Sequence, residues 1–407
     1  MEPSKGILSG IRVVEAASII MVPSAATILS DYGAEVIKVE PAAGDANRYL
    51  HFLTGMPDSD IAYSYLQLNR NKKGIVLDLK SDQGNEVLHR LLETADIFMT
   101  NYRPAALSNL KLRYEDLKDR YPKLIYAYGT GFGEEGSEAD RPGFDVITYW
   151  GRSGIETSMF PYEGWLRSVP PGTGDHPSGL ALYGAIMTAL YRREQTGRGG
   201  KVSTSLLANG AWANSCLIQA QLCGATFMEK MPREESPNFT GLHYRTADDR
   251  MLKIAILEVE RDWPALCRAV GRSELIEDPR FATLEARTEN MGELIAILDE
   301  ALAEHDLDYW RAALEEHDIP FAALPTYEEI AEDRQMAANG VFVEYDHPKH
   351  GRIRTVNSPF SLADEPKRPP EAAPELGQHT CEVLAELDYS SDEIRDLIER
   401  GAVAQSS

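Results

Sequence analysis

The first forty residues alternate between strand and helix patterns and restrict the fold more than any other stretch. Residues 11–18 form an apolar run that ends in small side chains, residues 23–32 have a helical pattern, and residues 33–40 form a second strand-like run, GAEVIKVE. A strand, a helix and a strand in this order form a βαβ unit, whose strands are parallel and whose crossover is right-handed. The chain is therefore predicted to contain a parallel sheet.

The same alternation continues to about residue 130. Strand patterns are found at 73–79, 96–100 and 124–128, and helical patterns at 83–94 and 114–121. Alternating strands and helices over this length are typical of one doubly wound domain. We therefore predict an α/β fold with a Rossmann-like large domain.

The predicted sheet lacks the turn that binds a dinucleotide. Glu40 ends the second strand, where dinucleotide folds place a ribose-binding carboxylate, but the first strand–helix turn contains no Gly-x-Gly. A literal GxGxxG at Gly131, Gly133 and Gly136 is followed by charges and a proline rather than by a helix start. Phosphate binding at this motif depends on the helix N-terminus. The sequence therefore does not support a dinucleotide site.

The pattern changes after residue 225. Residues 229–237 are charged and flanked by proline, and the following residues have the pattern of an antiparallel hairpin and then of several helices. We predict that residues 1–225 form the N-terminal part of the large domain and that residues 226–330 form a smaller α+β domain. Residues 331–407 are too few for a core of their own and are predicted to return to the large domain.

Composition fits a globular enzyme and argues against other classes of protein. The chain has 407 residues, enough for two domains, and its net charge of −23 argues against a nucleic-acid partner, which requires a basic face. No signal segment and no apolar run of membrane-spanning length is found. The four cysteines and nine histidines show no metal-ligand spacing. We expect a cytoplasmic protein with reduced thiols, no metal, no nucleic-acid partner and no membrane association.

One acid lies on a loop directly before a long helical pattern. The loop at 170–179, PPGTGDHPSG, places Asp175 among glycines and prolines. A helical pattern follows at 180–194, and the helix is predicted to begin near Pro177. An acid in this position caps the helix or acts as a reactive group, since the N-terminal N–H groups and the helix dipole favour an ionised carboxylate. The residues alone leave both interpretations open.

Short motifs in a fixed order run through nearly the whole chain. The motifs are LSGIRV at 8–13, GAEVIKVEP at 33–41 followed by Gly44-Asp45 and Arg48, NRNKK at 69–73, LDLK at 77–80, NYRP at 101–104, GFG at 131–133, RPGFD at 141–145, Gly174-Asp175, TGRG at 196–199 and LGQHT at 376–380. Each motif is weak alone, but the ordered set is specific. With this set the chain resembles the class III CoA-transferase family, a family that also contains α-methylacyl-CoA racemase.

The resemblance implies a Rossmann-like large domain built from both ends of the chain, a small domain between them, and two subunits interlocked as a homodimer. It implies that Asp175 is the catalytic aspartate and that coenzyme A is a substrate, with no further cofactor. The CoA-contacting positions of the family map onto Ile20, Met21, Leu77, Lys80, Asn101, Tyr102, Arg103 and Arg141.

The activity implied is transfer of CoA from an acyl-CoA donor to a carboxylic acid acceptor. The Asp175 carboxylate would form an anhydride with the donor acyl group and then a thioester with CoA, and the acceptor acid would reverse both steps. The CoA phosphates require positive charge, for which Arg103 and Arg141 are favoured because arginine binds phosphate through two hydrogen bonds. The wider set of basic candidates is Lys38, Arg48, Arg70, Lys72, Lys73, Lys80, Arg103 and Arg141.

An α-methylacyl-CoA racemase is the main alternative. The racemases use an Asp and a His as an acid–base pair, and the segment that holds their His has Phe144 here. His176 could substitute only from the position next to Asp175, so the sequence favours a transferase. A non-catalytic acyl-CoA-binding protein is disfavoured by the retained Asp175. Residues 236–241 lack the glycine run of oxalate-specific members, so oxalate is not expected, and the aromatic residues before Asp175 favour an apolar or bulky acyl group.

Overall fold

Two compact units make up the chain in the computed structural model, which describes residues 6–166 and 168–406. The first unit takes its residues from 1–159, 167–225 and 338–407, and the second from 160–166 and 226–337. The domain limits predicted from the sequence stay predictions. This grouping differs from them at 160–166 and 331–337.

The described residues form twelve strands and seventeen α-helices. The strands are β1 (Arg12–Ala16), β2 (Glu35–Glu40), β3 (Lys72–Leu77), β4 (Ile97–Thr100), β5 (Ile125–Thr130), β6 (Gly200–Ser205), β7 (His243–Arg245), β8 (Met251–Ile254), β9 (Phe321–Ala323), β10 (Phe342–His347), β11 (Gly351–Val356) and β12 (Val403–Ala404). The helices are α1 (Met21–Asp31), α2 (Tyr63–Asn69), α3 (Asp82–Glu93), α4 (Pro104–Leu110), α5 (Tyr114–Leu117), α6 (Ile155–Met159), α7 (Asp175–Thr196), α8 (Leu206–Ala213), α9 (Ser215–Leu222), α10 (Val259–Ala269), α11 (Leu284–Glu289), α12 (Met291–Leu302), α13 (Leu307–Glu316), α14 (Tyr327–Ala331), α15 (Arg334–Ala338), α16 (Thr380–Glu386) and α17 (Ser391–Glu399). A π-helix covers Val146–Arg152.

The first unit contains a seven-stranded sheet in the order β12-β3-β2-β1-β4-β5-β6. Its strands pair in parallel except for β12, which is antiparallel to β3. The predicted α/β fold with a mostly parallel sheet is thereby confirmed. The strand order reverses direction between β1 and β4, and open α/β sheets bind their ligands at such a switch point, beyond the carboxyl ends of the strands.

Alternate residues of the central strands bury opposite faces of this sheet. Val14 and Phe98 pack in one core with side chains of α3, α16 and α17, whereas Val13 and Met99 pack in another with α1 and α7. The C-terminal helices α16 and α17 therefore pack on this sheet. Side chains that alternate across a strand produce this two-sided burial.

Helices α1 and α7 cross closely near their amino ends. A Cβ added to Gly179 would lie 1.9 Å from Ser24 Oγ and 2.5 Å from the Met21 carbonyl oxygen. Only glycine allows this approach. The first turns of the two helices are thus held side by side at the edge of the sheet where the site is expected.

The second unit has its own sheet and core. Strands β7, β8 and β9 are antiparallel, and α10, α12 and α13 contribute buried residues such as Trp263, Leu298 and Trp310 to the core. The hairpin predicted in this region is confirmed. Among the described residues, no helix combines the length and apolar content needed to cross a bilayer.

Candidate active site

A cavity of about 430 Å³ opens beside the carboxyl ends of β1, β4 and β5 and the amino end of α7. Its walls come from the turn after β1, the turn after β4, the segment at 139–144 and the first residue of α7. Seven of the nine predicted site residues line it: Ile20, Met21, Asn101, Tyr102, Arg103, Arg141 and Asp175.

The two remaining predicted residues, Leu77 and Lys80, line a neighbouring depression of about 750 Å³. Tyr102 and Ala106 line both cavities. The nine residues therefore lie along one continuous surface rather than at separate sites. A long ligand with one end at Asp175 and the other at Lys80 would follow it.

Asp175 is the first residue of α7, after an N-cap at Gly174. The helix therefore begins two residues earlier than Pro177, near which the sequence predicts its start. The Asp175 side chain makes no capping hydrogen bond, and within the described residues no donor contacts it, although the residue is only 8% exposed. The interpretation of Asp175 as a capping side chain is thus wrong for this structure.

Burial raises the pKa of Asp175 to about 7, and the charge of Asp145 adds to the effect. The expectation that the helix terminus leaves this acid readily ionised is therefore wrong. A shift of this size corresponds to about 4 kcal/mol, whereas a helix dipole contributes about 0.3–1 kcal/mol. Desolvation exceeds the dipole, and the carboxylate at this position is a high-energy group.

Asp145 holds the turn that precedes Asp175. Asp145 is buried, and its Oδ2 accepts a hydrogen bond of 3.0 Å from the Gly174 N–H. The π-helix that follows Asp145 packs on the same glycine, since a Cβ on Gly174 would lie 2.5 Å from Cγ of Tyr149. The position of α7's first residue is thus set by this neighbouring segment.

Gly172 sets the other side of the same turn. Its φ of +81° lies in the region that favours glycine, and an added Cβ would lie 2.7 Å from Ile20 Cδ1. The absence of side chains at Gly172 and Gly174 therefore leaves room for the side chains of Ile20 and Tyr149.

The turn after β1 is held in an unusual conformation. Ile19 has a φ of +70°, which is strained for a β-branched residue. The Asn101 side chain accepts from the Ser18 N–H at 3.1 Å and donates to the Ser18 carbonyl at 2.8 Å. Asp45 accepts from the Ile19 N–H at 3.0 Å, and Asn47 donates to the Ile19 carbonyl at 3.0 Å. Four hydrogen bonds from three side chains thus fix the segment that brings Ile20 and Met21 into the cavity.

Most of the other basic candidates are paired inside the protein. They lie neither free in solvent nor in the cavity, so the expectation that they supply charge to CoA is wrong for them. Their partners are Glu15 and Asp45 for Lys38, Glu15 for Lys72, Glu40 for Arg48, Asp31 for Arg70, and Glu35, Glu382 and Glu386 for Lys73. Glu40 is therefore engaged by Arg48, consistent with the absence of a dinucleotide turn.

Arg103 and Arg141 remain exposed at the rim. Arg103 lies 3.6 Å from Asp140, and Arg141 lies 2.5 Å from Glu138. Exposed pairs of this kind contribute little, so both guanidinium groups can turn towards an anionic ligand at small cost.

Sequence reasoning did not identify Asp145 or Lys111 as site residues. Asp145 falls within the motif RPGFD at 141–145. Its hydrogen bond with Gly174, however, joins positions 29 residues apart, and no sequence pattern predicts such a bond. Lys111 has a left-handed φ of 55° after α4 and lines the same depression as Lys80. Lys111 lies outside every motif that carries the family resemblance, so no sequence pattern selected it.

The cavity contains no histidine among the described residues that line it, and Phe144 lies in its wall. His176 lies instead on the wall of a different cavity, beside Pro177 and Leu180. The described part of the chain contains no cluster of three or more His, Cys, Asp or Glu side chains able to hold a metal. Gly131 approaches Gly143, and no helix starts in residues 131–143. The residues present therefore suit an aspartate acting alone more than an acid–base pair.

Comparison with known proteins gives one consistent family. The family model for CoA-transferase family III matches residues 8–380. The chain is 35% identical over 393 residues to an (R)-2-hydroxy-4-methylpentanoate CoA-transferase of Clostridioides difficile, covering 96% of this chain and 98% of that protein. It is 34% identical to a cinnamoyl-CoA:phenyllactate CoA-transferase of Clostridium sporogenes, covering 98% and 97% of the two chains.

Solved structures agree with these sequence relatives. A crystal structure of a CAIB/BAIF family protein from Brucella suis matches with a TM-score of 0.82 and 29% identity, covering 94% of this chain and 100% of that one. The family match spans the cavity and Asp175. The protein is therefore an enzyme that belongs to CoA-transferase family III.

Proposed function

We propose that this CoA-transferase works through covalent acylation of Asp175. The observation that carries the proposal is that Asp175 is the one carboxylate among the described residues lining the 430 Å³ cavity, and that it is buried there without a donor. A structural carboxylate in such a place would be paired, because burying an unpaired charge is costly. An unpaired one fits a group that is consumed and regenerated in each turnover.

The reaction balances without a cofactor. A carboxylate oxygen of Asp175 attacks the donor thioester carbon, the C–S bond breaks, and CoA thiolate leaves an aspartyl anhydride. The thiolate then attacks the aspartyl carbonyl of the anhydride, which forms aspartyl-CoA and releases the donor acid. The acceptor carboxylate attacks aspartyl-CoA to form a second anhydride, and the thiolate takes the acceptor acyl group from it, so that Asp175 regains its carboxylate.

The environment of Asp175 favours its covalent forms. The free carboxylate is penalised by burial, and its anhydride and thioester forms carry no charge. The same penalty makes the carboxylate a stronger nucleophile than an ordinary aspartate, since nucleophilicity rises with basicity. Asp175 attacks once in each turnover and then passes through three covalent forms, two anhydrides and a thioester, so it gains from both effects.

We further propose that CoA lies along the continuous surface from Asp175 to Lys80. Arg103 and Arg141 stand at the rim, while Lys80 and Lys111 line the far depression. These cations offset a net charge of −23 locally, where a polyanionic ligand would otherwise be repelled. Asn101 and Tyr102 lie between the two ends.

The acceptor class we propose is a 2-hydroxy acid with an apolar side chain. The relatives named above act on 2-hydroxy-4-methylpentanoate and phenyllactate. Ile20 and Phe144 form apolar parts of the cavity wall near Asp175. This agrees with the bulky acyl group expected from the aromatic residues before Asp175.

We also propose that two copies form the interlocked homodimer that the family resemblance implies. Trp212 on α8 is 80% exposed and Leu222 on α9 is 75% exposed, and exposed apolar side chains of this size are typical of surfaces covered by a partner. Native mass spectrometry should give a dimer mass. A monomer that is fully active would contradict this part of the proposal.

Trapping tests the covalent mechanism. The protein is incubated with cinnamoyl-CoA, quenched with hydroxylamine and digested, and the Asp175 peptide should carry a hydroxamate. Asp175→Asn should form none and should lose transfer to phenyllactate, with Asp140→Asn as the matched control on a nearby exposed carboxylate. Transfer that continues in Asp175→Asn, or an adduct at another residue, would contradict the proposal.

A further inference from the structure

Asp145 and Asp175 place two carboxylates at one buried turn. Asp145 is 4% exposed and Asp175 is 8% exposed. The Gly174 N–H donates to Asp145 Oδ2 at 3.0 Å, so Asp145 contacts the residue directly before Asp175. Gly174 also packs on the Tyr149 ring, four residues after Asp145. The two carboxylates are close enough for the charge of Asp145 to add to the raised pKa of Asp175.

The surroundings contain little to neutralise this pair. On the segment of Asp145, Arg141 and Arg152 are exposed and both pair with Glu138. On α7 the next side chain is His176, on which the charge of Asp145 also acts, but burial holds the pKa of this imidazole below its usual value and so keeps it from supplying a positive charge. The first turns of α1 and α8, which also border Asp175's cavity, carry no charged side chain.

The negative charge of Asp145 acts differently on the states of Asp175. Repulsion between two carboxylates raises the free energy of the ionised form, since like charges disfavour each other at low dielectric. The anhydride and the thioester are neutral at Asp175, so acylation removes this repulsion. The hydrogen bond that Asp145 accepts does not depend on the state of Asp175, because its donor is the backbone N–H of Gly174.

We propose that Asp145 is a positioning residue that holds the Gly174–Asp175 turn and, through its charge, favours the acylated forms of Asp175 over the free carboxylate. This inference rests on the proposed function. Asp145, a buried acid outside the predicted site, acts in two separable ways. One is its hydrogen bond with the Gly174 N–H, and the other is its negative charge.

The test separates the two actions with two variants. Asp145→Asn keeps an acceptor oxygen for the Gly174 N–H but removes the charge. The pH at which kcat/KM is half-maximal should fall by about one unit, since neighbouring carboxylates shift each other by this order. The ratio of acylated to free Asp175 after mixing with cinnamoyl-CoA, without acceptor, should fall about tenfold, because one unit corresponds to a factor of ten in an equilibrium constant.

Asp145→Glu keeps the charge and should keep the wild-type midpoint, even if a displaced hydrogen bond lowers kcat. Glu156→Gln is the matched control, since Glu156 is a carboxylate on the next helix that does not line the cavity. A residue with only a structural role would lower kcat in both Asp145 variants and leave the midpoint unchanged. That result would overturn the inference, as would a wild-type profile in Asp145→Asn.

The failure of this inference can be distinguished from failure of the mechanism. Equal acylation in the wild type and in Asp145→Asn removes only the role of Asp145. Absence of any acylation at Asp175 in the wild type removes the proposed mechanism itself. If Asp145→Asn does not fold, the Asp145→Glu profile still decides, because a shifted midpoint in a variant that keeps the charge contradicts the account.

Discussion

At the scale of the residue, Asp175 is placed at a cost to stability. Its pKa is about 7 in the folded chain, raised from 3.8 by burial and then by Asp145. Between about pH 4 and about pH 7 the unfolded chain has lost this proton and the folded chain has kept it. Stability is therefore predicted to fall as pH rises through this window and to level off above it.

Replacement of Asp175 should remove this cost. At about pH 8, Asp175→Asn is expected to be more stable than the wild type by up to about 4 kcal/mol and therefore to unfold at a higher temperature. Near pH 4 the two proteins should unfold at the same temperature. Differential scanning calorimetry at both pH values measures the difference, with Asp119→Asn as an exposed control. A constant difference between the two pH values would contradict the burial of an unpaired acid.

The same pKa predicts the pH profile of the reaction. The nucleophile is the carboxylate, so kcat/KM for the acyl-CoA donor should rise with pH and reach a plateau above about 7. Initial rates at low donor concentration from about pH 5 to about pH 9 give the profile. An ordinary aspartate would instead give a flat profile over this range.

At this scale the sequence selected the candidate reactive group but not its environment. The loop at 170–179 and the family motif both point to Asp175. Its pKa depends on burial and on Asp145, which approaches through a backbone contact at Gly174. Neither burial of one side chain nor a bond across 29 positions is encoded in a local pattern.

At the scale of the element, the turn after β1 is held by its neighbours against its own preference. A left-handed φ costs an L-residue roughly 1–2 kcal/mol, while glycine loses about 0.5–1 kcal/mol through its greater freedom in the unfolded chain. Ile19→Gly should therefore change the free energy of unfolding by no more than about 1 kcal/mol, despite loss of the side chain.

Ile20→Gly is the comparison for this prediction. Ile20 has a φ of −124° and is buried, so its loss should cost about 3 kcal/mol. Urea unfolding of both variants measures the two effects. A loss at Ile19 equal to that at Ile20 would show that the turn carries no strain.

The sequence predicted the elements around this turn and could not predict its conformation. The pattern of residues 11–40 indicated β1, α1 and β2 in order, because burial on a parallel sheet determines those patterns. The conformation of Ile19 depends on Asn101, Asp45 and Asn47, which come from two other segments of the chain. The start of α7 was misplaced by two residues for the related reason that Pro177 is tolerated in the first turn of a helix.

At the scale of the whole molecule, a buried ion-pair cluster lies below the site. Glu15 is fully buried and contacts both Lys38 at 3.0 Å and Lys72 at 2.7 Å, and Lys38 also contacts Asp45 at 2.8 Å. Burial lowers the pKa of Lys72 to about 8, and Glu15 opposes this shift. The cluster joins β1, β2 and β3 to the turn that holds Ile19.

Removal of the central charge should destabilise the protein strongly. Glu15→Gln leaves two buried cations with less compensation, for which we expect a loss of about 3–5 kcal/mol. Glu382→Gln, which removes a half-exposed partner of Lys73, should cost less than about 1 kcal/mol. Equal thermal shifts in the two variants would contradict the importance of this cluster.

This cluster also shows where prediction from sequence ends. Several basic residues have the spacing of surface or ligand-binding cations, and composition cannot distinguish such cations from members of buried ion pairs. These residues are Lys38, Arg48, Arg70 and Lys72. Their partners come from other strands and helices and are known only from the fold. The order of strands and helices, by contrast, follows from local apolar patterns and was largely predictable to residue 130.

Covalent use of Asp175 is tested most directly by an oxygen label. The enzyme turns over cinnamoyl-CoA with phenyllactate labelled with ¹⁸O in its carboxylate, and the peptide containing Asp175 is then examined by mass spectrometry. Because the acceptor carboxylate attacks aspartyl-CoA and leaves one of its oxygens on the aspartate, the account predicts ¹⁸O in the Asp175 side chain. Full turnover with unlabelled Asp175 would contradict it.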